Sequence, residues 1–472
     1  MYLYELPNLN NILDEVTATE PACIFTEETI VDFIETTFEL FNEYVVDNPT
    51  AISEPDFEET IIANVKEFCI IKFENNIIEN DSVEDDIDCL LEYALELFLI
   101  AFLPQRSVKE TDTLFQNDIK EEGDHNFIEN QINTLRTMPQ PAQRTNEWYI
   151  FRNNLITASN AYKAFESQSA QNQLIYEKCQ PIKQSTDEDN NKMVNVNTPL
   201  HWGQKYEPLS VMLYETMYNT EVEEFGCMPH PVYKFIGASP DGINIKKGSD
   251  RYGRMLEIKN VVSRVITGIP KKEYWIQMQL QMEVCNLDKC DFLETKFTEY
   301  VDETAFYEDT LTDKKGIMLH FNTKENKPFY VYKPLHIIDK LDIDAWFDEQ
   351  HADFVGRGLI WIKSIYWKLD TLSCVLVLRN KQWFKENVKQ LEHIWNIVLE
   401  ERVTGCAHRA PNKKTKFVPK PFICNNDTST GCLLKINTDP YDNVKELYVK
   451  APIVKAPTGI CLLKINTETL HL

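Results

Sequence analysis

The first hundred residues alternate apolar and acidic positions at helical spacing. In residues 25–46 the apolar side chains recur every three or four residues, which places them on one face of a helix: Ile30, Ile34, Phe38 and Phe41. Residues 56–73 and 83–102 repeat this pattern. We therefore predict an acidic, all-helical domain over residues 1–104. Its acidic surface is either a solvated face or a face that binds a partner or mimics DNA.

Beyond residue 143 the pattern changes to short strands that alternate with helices. Residues 373–379 are largely apolar, as in a buried strand, and residues 381–402 have one apolar face, as in a helix packed on a sheet. The pattern predicts an α/β fold over residues 144–403, with a mixed β-sheet flanked by helices. Residues 105–143 are polar and contain prolines, which is typical of a linker.

Residues 404–472 are predicted to form a basic linker and a tail. Residues 402–420 contain six basic residues and no acid, which favours either a linker or contact with a nucleic-acid backbone. The heptapeptide Cys-Leu-Leu-Lys-Ile-Asn-Thr occurs twice, at residues 432–438 and 461–467. Because two copies are too few for a solenoid, we expect short strands or docking peptides.

The net charge of −26 argues at first against DNA binding, because phosphate contacts require Lys and Arg. However, residues 1–105 contain 25 acids and only two bases, so the rest of the chain is nearly neutral and DNA is not excluded. The 12 cysteines include no Cys-x-x-Cys pair, and no apolar segment is long enough to span a membrane. We expect a soluble, intracellular protein with reduced thiols and no membrane association.

Three carboxylates and one lysine occur in separate segments of the α/β region. Glu207 lies in a predicted helix, and Asp241 lies at a strand end, in a turn where Gly242 is free to take a positive φ. Glu257 and Lys259 are two residues apart on a predicted strand, so their side chains share one face. Adjacent strands would bring Asp241, Glu257 and Lys259 to one sheet edge, and Glu207 would approach from the neighbouring helix.

These residue types suit the hydrolysis of a phosphodiester. Asp and Glu provide the hard oxygen ligands that Mg²⁺ or Mn²⁺ prefers. Such ions lower the pKa of bound water and stabilise charge on the attacking and leaving oxygens, while a nearby lysine orients the water. Taken singly, Pro-Asp-Gly is usually a turn and Glu-x-Lys is usually a solvated strand face. The combination of all four residues is more specific than either motif.

The order of the motifs resembles the PD-(D/E)XK nuclease superfamily, and within it the lambda exonuclease branch, also called YqaJ-type viral recombinase nucleases. Five elements match in order: Arg152 with Ile156-Thr157-Ala158-Ser159, Gly203 with Glu207, Ser239-Pro240-Asp241-Gly242, Leu256-Glu257-Ile258-Lys259, and Ile276-Gln277-Met278-Gln279. The resemblance covers residues 144–403 and implies a restriction-endonuclease-like core. Gln281 stands where the RecB-type relatives have Tyr, which disfavours the helicase-coupled branch.

The resemblance also implies roles for individual residues. Four groups would bind Mg²⁺ or Mn²⁺: Glu207, Asp241, Glu257 and the backbone carbonyl of Ile258. Lys259 would position the attacking water, and Gln277 would steady either the lysine or the scissile phosphate. Three residues would hold the 5′-phosphate of a DNA end: Arg152, Ser159 and Ser239. A helix N-cap is the alternative role of Ser159.

The expected function is a Mg²⁺-dependent exonuclease that digests one strand of linear duplex DNA from a 5′ end and leaves 3′ single strands for recombination or repair. The expected partners are double-stranded DNA ends, a single-strand annealing protein and further copies of the chain, as a trimer by resemblance. A viral origin would place the protein in the host cytoplasm, a virus particle or a viral factory. Two alternatives stay open: a structure-specific endonuclease on the same fold, and a non-catalytic module that binds DNA or a partner.

Overall fold

The computed structural model describes residue 25 and residues 27–73, 83–102, 106–107, 121–141, 145–182 and 194–411. The duplicated heptapeptides and residues 412–420 of the basic segment lie outside these residues. The predictions for the tail therefore stay predictions.

Three helices form the N-terminal region: α1 (Glu27–Asp47), α2 (Phe57–Phe73) and α3 (Val83–Phe102). They pack through buried apolar side chains: Phe33, Phe41, Ile61, Leu91 and Phe98. Burying the apolar stripe of each helix leaves the acidic positions on the outer faces, because the two sets alternate at helical spacing. The predicted helical N-terminal region is confirmed.

A seven-stranded sheet forms the centre of the α/β region. In spatial order its strands are β2 (Val222–Glu223), β5 (Gly242–Asn244), β6 (Met255–Asn260), β7 (Lys289–Glu299), β10 (Ile360–Leu378), β8 (Lys315–Asn322) and β9 (Pro328–Tyr332). β6 and β7 are parallel, whereas the other neighbours are antiparallel. A second, three-stranded sheet has the order β1 (Ile156–Thr157), β4 (Ile236–Ala238) and β3 (Met228–Pro229).

Helices cover both faces of the large sheet. In chain order the helices after α3 are α4 (Glu121–Thr137), α5 (Asn146–Asn153), α6 (Ala158–Ala161), α7 (Gln168–Cys179), α8 (Pro199–Tyr218), α9 (Lys272–Cys285), α10 (Glu303–Glu308), α11 (Lys340–Gly356) and α12 (Lys381–Thr404). The predicted α/β fold, a mixed sheet flanked by helices, is confirmed. Among the described residues, no helix is both long and apolar enough to cross a membrane.

Alternate side chains of β6 belong to the two opposite layers. Leu256 and Ile258 pack in the core that α8 forms on one face. Met255 packs in the core that α9 and α12 form on the other face. Because side chains alternate along a strand, Glu257 and Lys259 also point toward the α9 face.

The segment predicted as a linker, residues 105–143, contributes to the core where the structure describes it. It contains α4, in which Ile132 and Leu135 are buried against the α/β region. Gln131 Nε2 also donates to the carbonyl of Cys285, at 2.7 Å. Although the segment is polar overall, it contains a few apolar residues at helical spacing, and their burial is sufficient to hold the helix against the core. A linker is therefore the wrong description of α4.

The N-terminal helices are joined to the sheet by polar contacts. The backbone N–H of Cys374 donates to Ser53 Oγ at 2.8 Å, and the Tyr218 hydroxyl donates to the Ser53 carbonyl at 2.7 Å. Arg106 forms an ion pair with Glu58. The two regions thus share an interface, while the domain borders at residues 104 and 143 stay predictions.

Candidate active site

Asp241 lies in the turn between β4 and β5. Its Oδ2 accepts a hydrogen bond from the backbone N–H of Ile258 at 2.7 Å. The pairing of Gly242 with β6 places Asp241 next to Glu257. Gly242 does not take the positive φ that the turn allows. It is needed instead because a Cβ at this position would collide with Cγ1 of Val222.

Glu257 and Lys259 are in direct contact, as their two-residue spacing predicts. The Glu257 side chain has no exposed surface, and Lys259 Nζ forms an ion pair with its Oε1. The same Oε1 accepts a hydrogen bond from Gln277 Nε2 at 2.7 Å. Three of the predicted catalytic residues therefore form one cluster on the α9 face.

Gln281 also belongs to this cluster, although sequence reasoning gave it no role there. Its Nε2 donates to Glu257 Oε2 at 2.6 Å and to the carbonyl of Ser239 at 3.3 Å. Its position could have been predicted from the sequence, because Gln281 is four residues after Gln277 and residues four apart on a helix lie on the same face. Gln279 points away and donates to the carbonyl of Leu378 at 2.9 Å.

Glu207 approaches the cluster from α8, as predicted. Thr198 caps this helix by accepting a hydrogen bond from the backbone N–H of His201 at 3.2 Å. Near Glu207, Lys205 forms an ion pair with Glu299, which fixes that turn to the sheet. The half-buried Glu207 carboxylate lies close enough to Asp241 to raise the pKa of that carboxyl.

The charges at the centre of the cluster do not balance, because the carboxylates of Glu257 and Asp241 both lie near one ammonium group, that of Lys259. Burial raises the pKa of Asp241 well above its ordinary value of 3.8, and the charges of Glu257 and Glu207 raise it further. Burial alone would lower the pKa of Lys259. The carboxylates of Glu257 and Asp241 outweigh burial and raise this pKa, so Lys259 is protonated at neutral pH.

The surplus of negative charge and the hard oxygen donors fit a divalent cation. However, no three Asp, Glu, His or Cys side chains within the described ranges are arranged as a group that could hold a metal ion. In their present positions, Asp241 accepts from a backbone N–H and Glu257 accepts from Lys259 and two glutamines. Metal binding by Glu207, Asp241, Glu257 and the Ile258 carbonyl is therefore a proposal.

Ser159 and Ser239 occupy equivalent positions at the ends of two parallel strands. Thr157 of β1 is in register with Gly237 of β4, and Ser159 and Ser239 each lie two residues after these paired residues. Ser239 Oγ donates to the carbonyl of Phe225 at 3.3 Å. Ser159 is exposed and lies inside α6, whose N-cap residue is Thr157, so the alternative role of Ser159 as an N-cap is wrong.

Arg152 reaches the same end of the small sheet from the last turn of α5. Its guanidinium lies over the Trp148 ring, with Cζ 4.4 Å from the ring centroid. Burial lowers the pKa of Arg152, and the Cys227 thiol is its hydrogen-bond neighbour. Cys227 directly precedes Met228, which pairs with Ala238, so Arg152 lies near the strand end that carries Ser239.

The family comparison covers these segments. A family model described as the YqaJ-like viral recombinase domain matches residues 147–288. Residues 147–288, hereafter the YqaJ-like domain, are thus similar to that family. Every residue predicted for the site lies within it, from Arg152 to Gln277, and so does Gln281.

Relatives of the chain extend beyond the YqaJ-like domain. An uncharacterized protein of Acanthamoeba polyphaga mimivirus is 29% identical over 349 residues, which are 66% of this chain and 61% of that protein. The match thus spans less than two thirds of the relative. An alkaline exonuclease from Laribacter hongkongensis is 18% identical, with 55% of this chain and 95% of that chain covered and a TM-score of 0.32. A phage-related exonuclease from Haemophilus somnus is 11% identical, with 54% and 96% covered and a TM-score of 0.27.

The YqaJ-like domain does not contain the whole sheet. It supplies β1 to β6 and α9, whereas β7 to β10 and α12 follow residue 288. Glu257 lies on β6, and β6 pairs with β7, the first strand after residue 288. The cluster around Glu257 therefore lies at the border between the YqaJ-like domain and the rest of the sheet.

Proposed function

We propose that this chain is a metal-dependent DNA nuclease whose reaction centre is formed by Glu207, Asp241, Glu257 and Lys259. The observation that carries the proposal is the cluster at β6, where a buried glutamate contacts a lysine and adjoins a second carboxylate. The YqaJ-like domain supports the proposal because it contains all four residues.

The chain's own groups divide the work in the proposed reaction. Asp241 and Glu257 hold their oxygens beside each other, and Gln277 fixes the orientation of Glu257. A bound Mg²⁺ or Mn²⁺ would make water acidic enough to attack at neutral pH and would offset charge on the phosphate. Because Lys259 is protonated, it donates a hydrogen bond to the attacking water or to a phosphate oxygen and does not accept a proton.

We further propose exonuclease action on linear duplex DNA from a 5′ end. Arg152, Ser159 and Ser239 would bind the terminal phosphate, because a guanidinium and hydroxyls suit a phosphate dianion. Water adds to phosphorus, the P–O3′ bond breaks, and the 3′ oxygen takes the proton. The shortened strand then again carries a 5′-phosphate, and the complementary strand is left as a 3′ single strand for recombination or repair. A single-strand annealing protein and further copies of the chain are the proposed protein partners.

The test is digestion of two matched duplexes, one linear and end-labelled and one covalently closed. We expect label to be released from the linear duplex in Mg²⁺ and not in excess chelator, while the closed circle stays intact. Cleavage of the circle would favour a structure-specific endonuclease. Chelator-insensitive cleavage, or no cleavage of either DNA, would refute the proposed metal-dependent nuclease.

A further inference from the structure

Lys178 is a buried cation that the proposed reaction does not use. It lies in the last turn of α7, and the residue is only 7% exposed. Its Nζ donates to the backbone carbonyl of Arg152 at 2.8 Å. The side chain therefore points toward α5 and the residue proposed to bind the terminal phosphate.

Lys178 is one of two buried cations, among the described residues, that form no ion pair with a carboxylate. The described residues include seven buried Lys and Arg residues, and five of them form an ion pair with an acid: Arg106, Lys163, Lys205, Arg251 and Arg254. Lys333 lacks an acid but donates to two backbone carbonyls. The acid nearest to Lys178 in sequence, Glu177, is already paired with Lys163, at 3.0 Å.

Arg152 has no ion pair with an acid among the described residues either, and its charge helps to lower the pKa of Lys178, so the two cations lie close together. Each sits in the last turn of a helix, where the helix dipole contributes only about 0.3–1 kcal/mol to a cation. Burying an unpaired charge costs several kcal/mol. The dipoles therefore do not explain the pair, and an anionic ligand would.

The pair faces the strand end that carries Ser239. Both cations act on the buried thiol of Cys227, whose pKa is raised by burial and lowered by Arg152 and Lys178. Cys227 adjoins the paired residues Met228 and Ala238, and Ser239 follows directly. The two cations and the serine thus lie near the same end of the small sheet.

Arg402 holds the two helix ends in this arrangement. Its Nε and one terminal nitrogen donate to the carbonyl of Lys178 at 3.1 and 2.9 Å, and the same terminal nitrogen donates to the carbonyl of Asn153 at 2.6 Å. Because Asn153 follows Arg152, this clamp fixes α5 and α7 to each other. The pair is therefore pre-organised.

We propose that Lys178 is the second cation of the terminal-phosphate site and that the site selects a phosphomonoester by charge. This inference rests on the proposed function. Two cations match the dianionic monoester at a DNA end, which carries about −1.5 to −2 at pH 7, whereas an internal phosphodiester carries only one negative charge. The pair would thus distinguish an end from the interior of a strand.

The charge of the site also changes with pH. Burial lowers the pKa of Lys178 to about 8, and the charges of Arg152 and Arg402 lower it as well, while Cys227 and Glu177 act in the opposite direction. The site therefore has two positive charges below this pH and one above it. Preference for phosphorylated ends should decline as the pH rises through about 8.

The experiment compares duplexes that differ only in a 5′-phosphate or a 5′-hydroxyl. Lys178→Met should raise KM for the phosphorylated end on the order of 10- to 100-fold, as for loss of a charged hydrogen bond, and should change KM for the hydroxyl end much less. Lys178→Arg should restore the preference and abolish its decline above pH 8. Lys163→Met removes an equally buried lysine with its own acid, so it should leave the ratio of the two KM values unchanged.

Binding of the same duplexes in chelator separates this inference from the nuclease proposal. If wild-type protein cleaves neither duplex but prefers the phosphorylated one, and Lys178→Met loses that preference, the phosphate site stands and the nuclease proposal fails. If Lys178→Met keeps the wild-type preference, or loses affinity equally for both ends, the role of Lys178 is refuted.

Discussion

Glu257 and Asp291 are two fully buried carboxylates on neighbouring strands, and they have opposite surroundings. Asp291 lies on the α8 face, where it forms ion pairs with Arg251 and Arg254. Ser107 Oγ and the Tyr214 hydroxyl also donate to it, the latter at 2.6 Å. Glu257 lies on the α9 face and has one cation, Lys259.

The difference shows that burial of an acid does not by itself indicate a reaction centre. Asp291 is one carboxylate surrounded by two guanidinium groups and two hydroxyl donors, so its negative charge is more than compensated. The hydrogen bonds of Ser107 to Asp291 and Arg251 also hold residue 107 against the sheet. Glu257 shares Lys259 with Asp241, and its two amide donors orient it without neutralising it. The uncompensated cluster is the one suited to bind a cation.

The largest expected effect is on stability, at Asp291. Asp291→Asn removes the charge opposite two buried guanidinium groups, so the free energy of unfolding should fall by about 3–5 kcal/mol. Urea denaturation measures this. Asp288→Asn is the matched control, since that carboxylate is 57% exposed beside Arg379 and should change stability by less than about 1 kcal/mol. Equal losses in the free energy of unfolding for the two variants would show that the buried ion pairs of Asp291 are no more stabilising than the exposed pair of Asp288.

Lys259→Met should give the next largest effect, on turnover. Loss of the one positive charge near the reacting phosphate should lower kcat by about 10²- to 10³-fold, as for removal of one group that stabilises transition-state charge. Because Lys259 is paired with the fully buried Glu257, the urea midpoint should fall as well, so kcat is compared under conditions in which circular dichroism shows both proteins folded. Near-normal turnover in Mg²⁺ would contradict the role of Lys259.

Gln281→Leu should have a smaller effect, because Gln281 acts by orienting Glu257. A loss of about 10- to 100-fold in metal affinity or activity is typical when a partner of a metal-binding group is removed. Gln279→Leu is the matched control, since Gln279 is equally buried on α9 but bonds to Leu378 and Asn380. Metal titration of both variants measures the effect, and equal losses would count against a role specific to Gln281.

The smallest effect is a pH dependence of metal binding that arises from Asp241. Because the pKa of Asp241 is raised, protonation of Asp241 stabilises the metal-free protein below about 3.8, and this contribution is lost as the pH rises through the folded-state pKa. A metal competes with that proton, so Mg²⁺ affinity should rise with pH by up to about tenfold per unit until Asp241 is ionised. An Mg²⁺ affinity that does not change with pH would contradict this prediction. So would an affinity that rises equally steeply with pH in Asp241→Asn.

Much of the cluster was predictable from local spacing. The alternation of a strand placed Glu257 and Lys259 on one face, and the strand–turn–strand pattern placed Asp241 beside them. The spacing of Gln281 was visible in the sequence, but its partner on β6, Glu257, was not. The Asp291 network was not predictable, since it joins residue 107 to Arg251 and Tyr214 through contacts distant in sequence.

The helix α4 was missed for a related reason. Its apolar positions are few, and only the packing of Ile132 and Leu135 against the α/β core shows that they are sufficient. Composition over residues 105–143 favours a linker, whereas tertiary burial determines the helix. Likewise, no local pattern distinguishes Lys178 from Lys163, because the difference is whether an acid lies nearby.

Cleavage of a 5′-phosphorylated, end-labelled linear duplex in saturating Mg²⁺ by Asp241→Asn is the most direct test of the proposed reaction centre. The amide can still accept from Ile258 N–H, so folding should be preserved while the negative charge needed for the cation is lost. We expect no turnover above the chelator background, alongside normal turnover of the exposed control Asp250→Asn. A rate for Asp241→Asn close to that of the wild type would contradict the account.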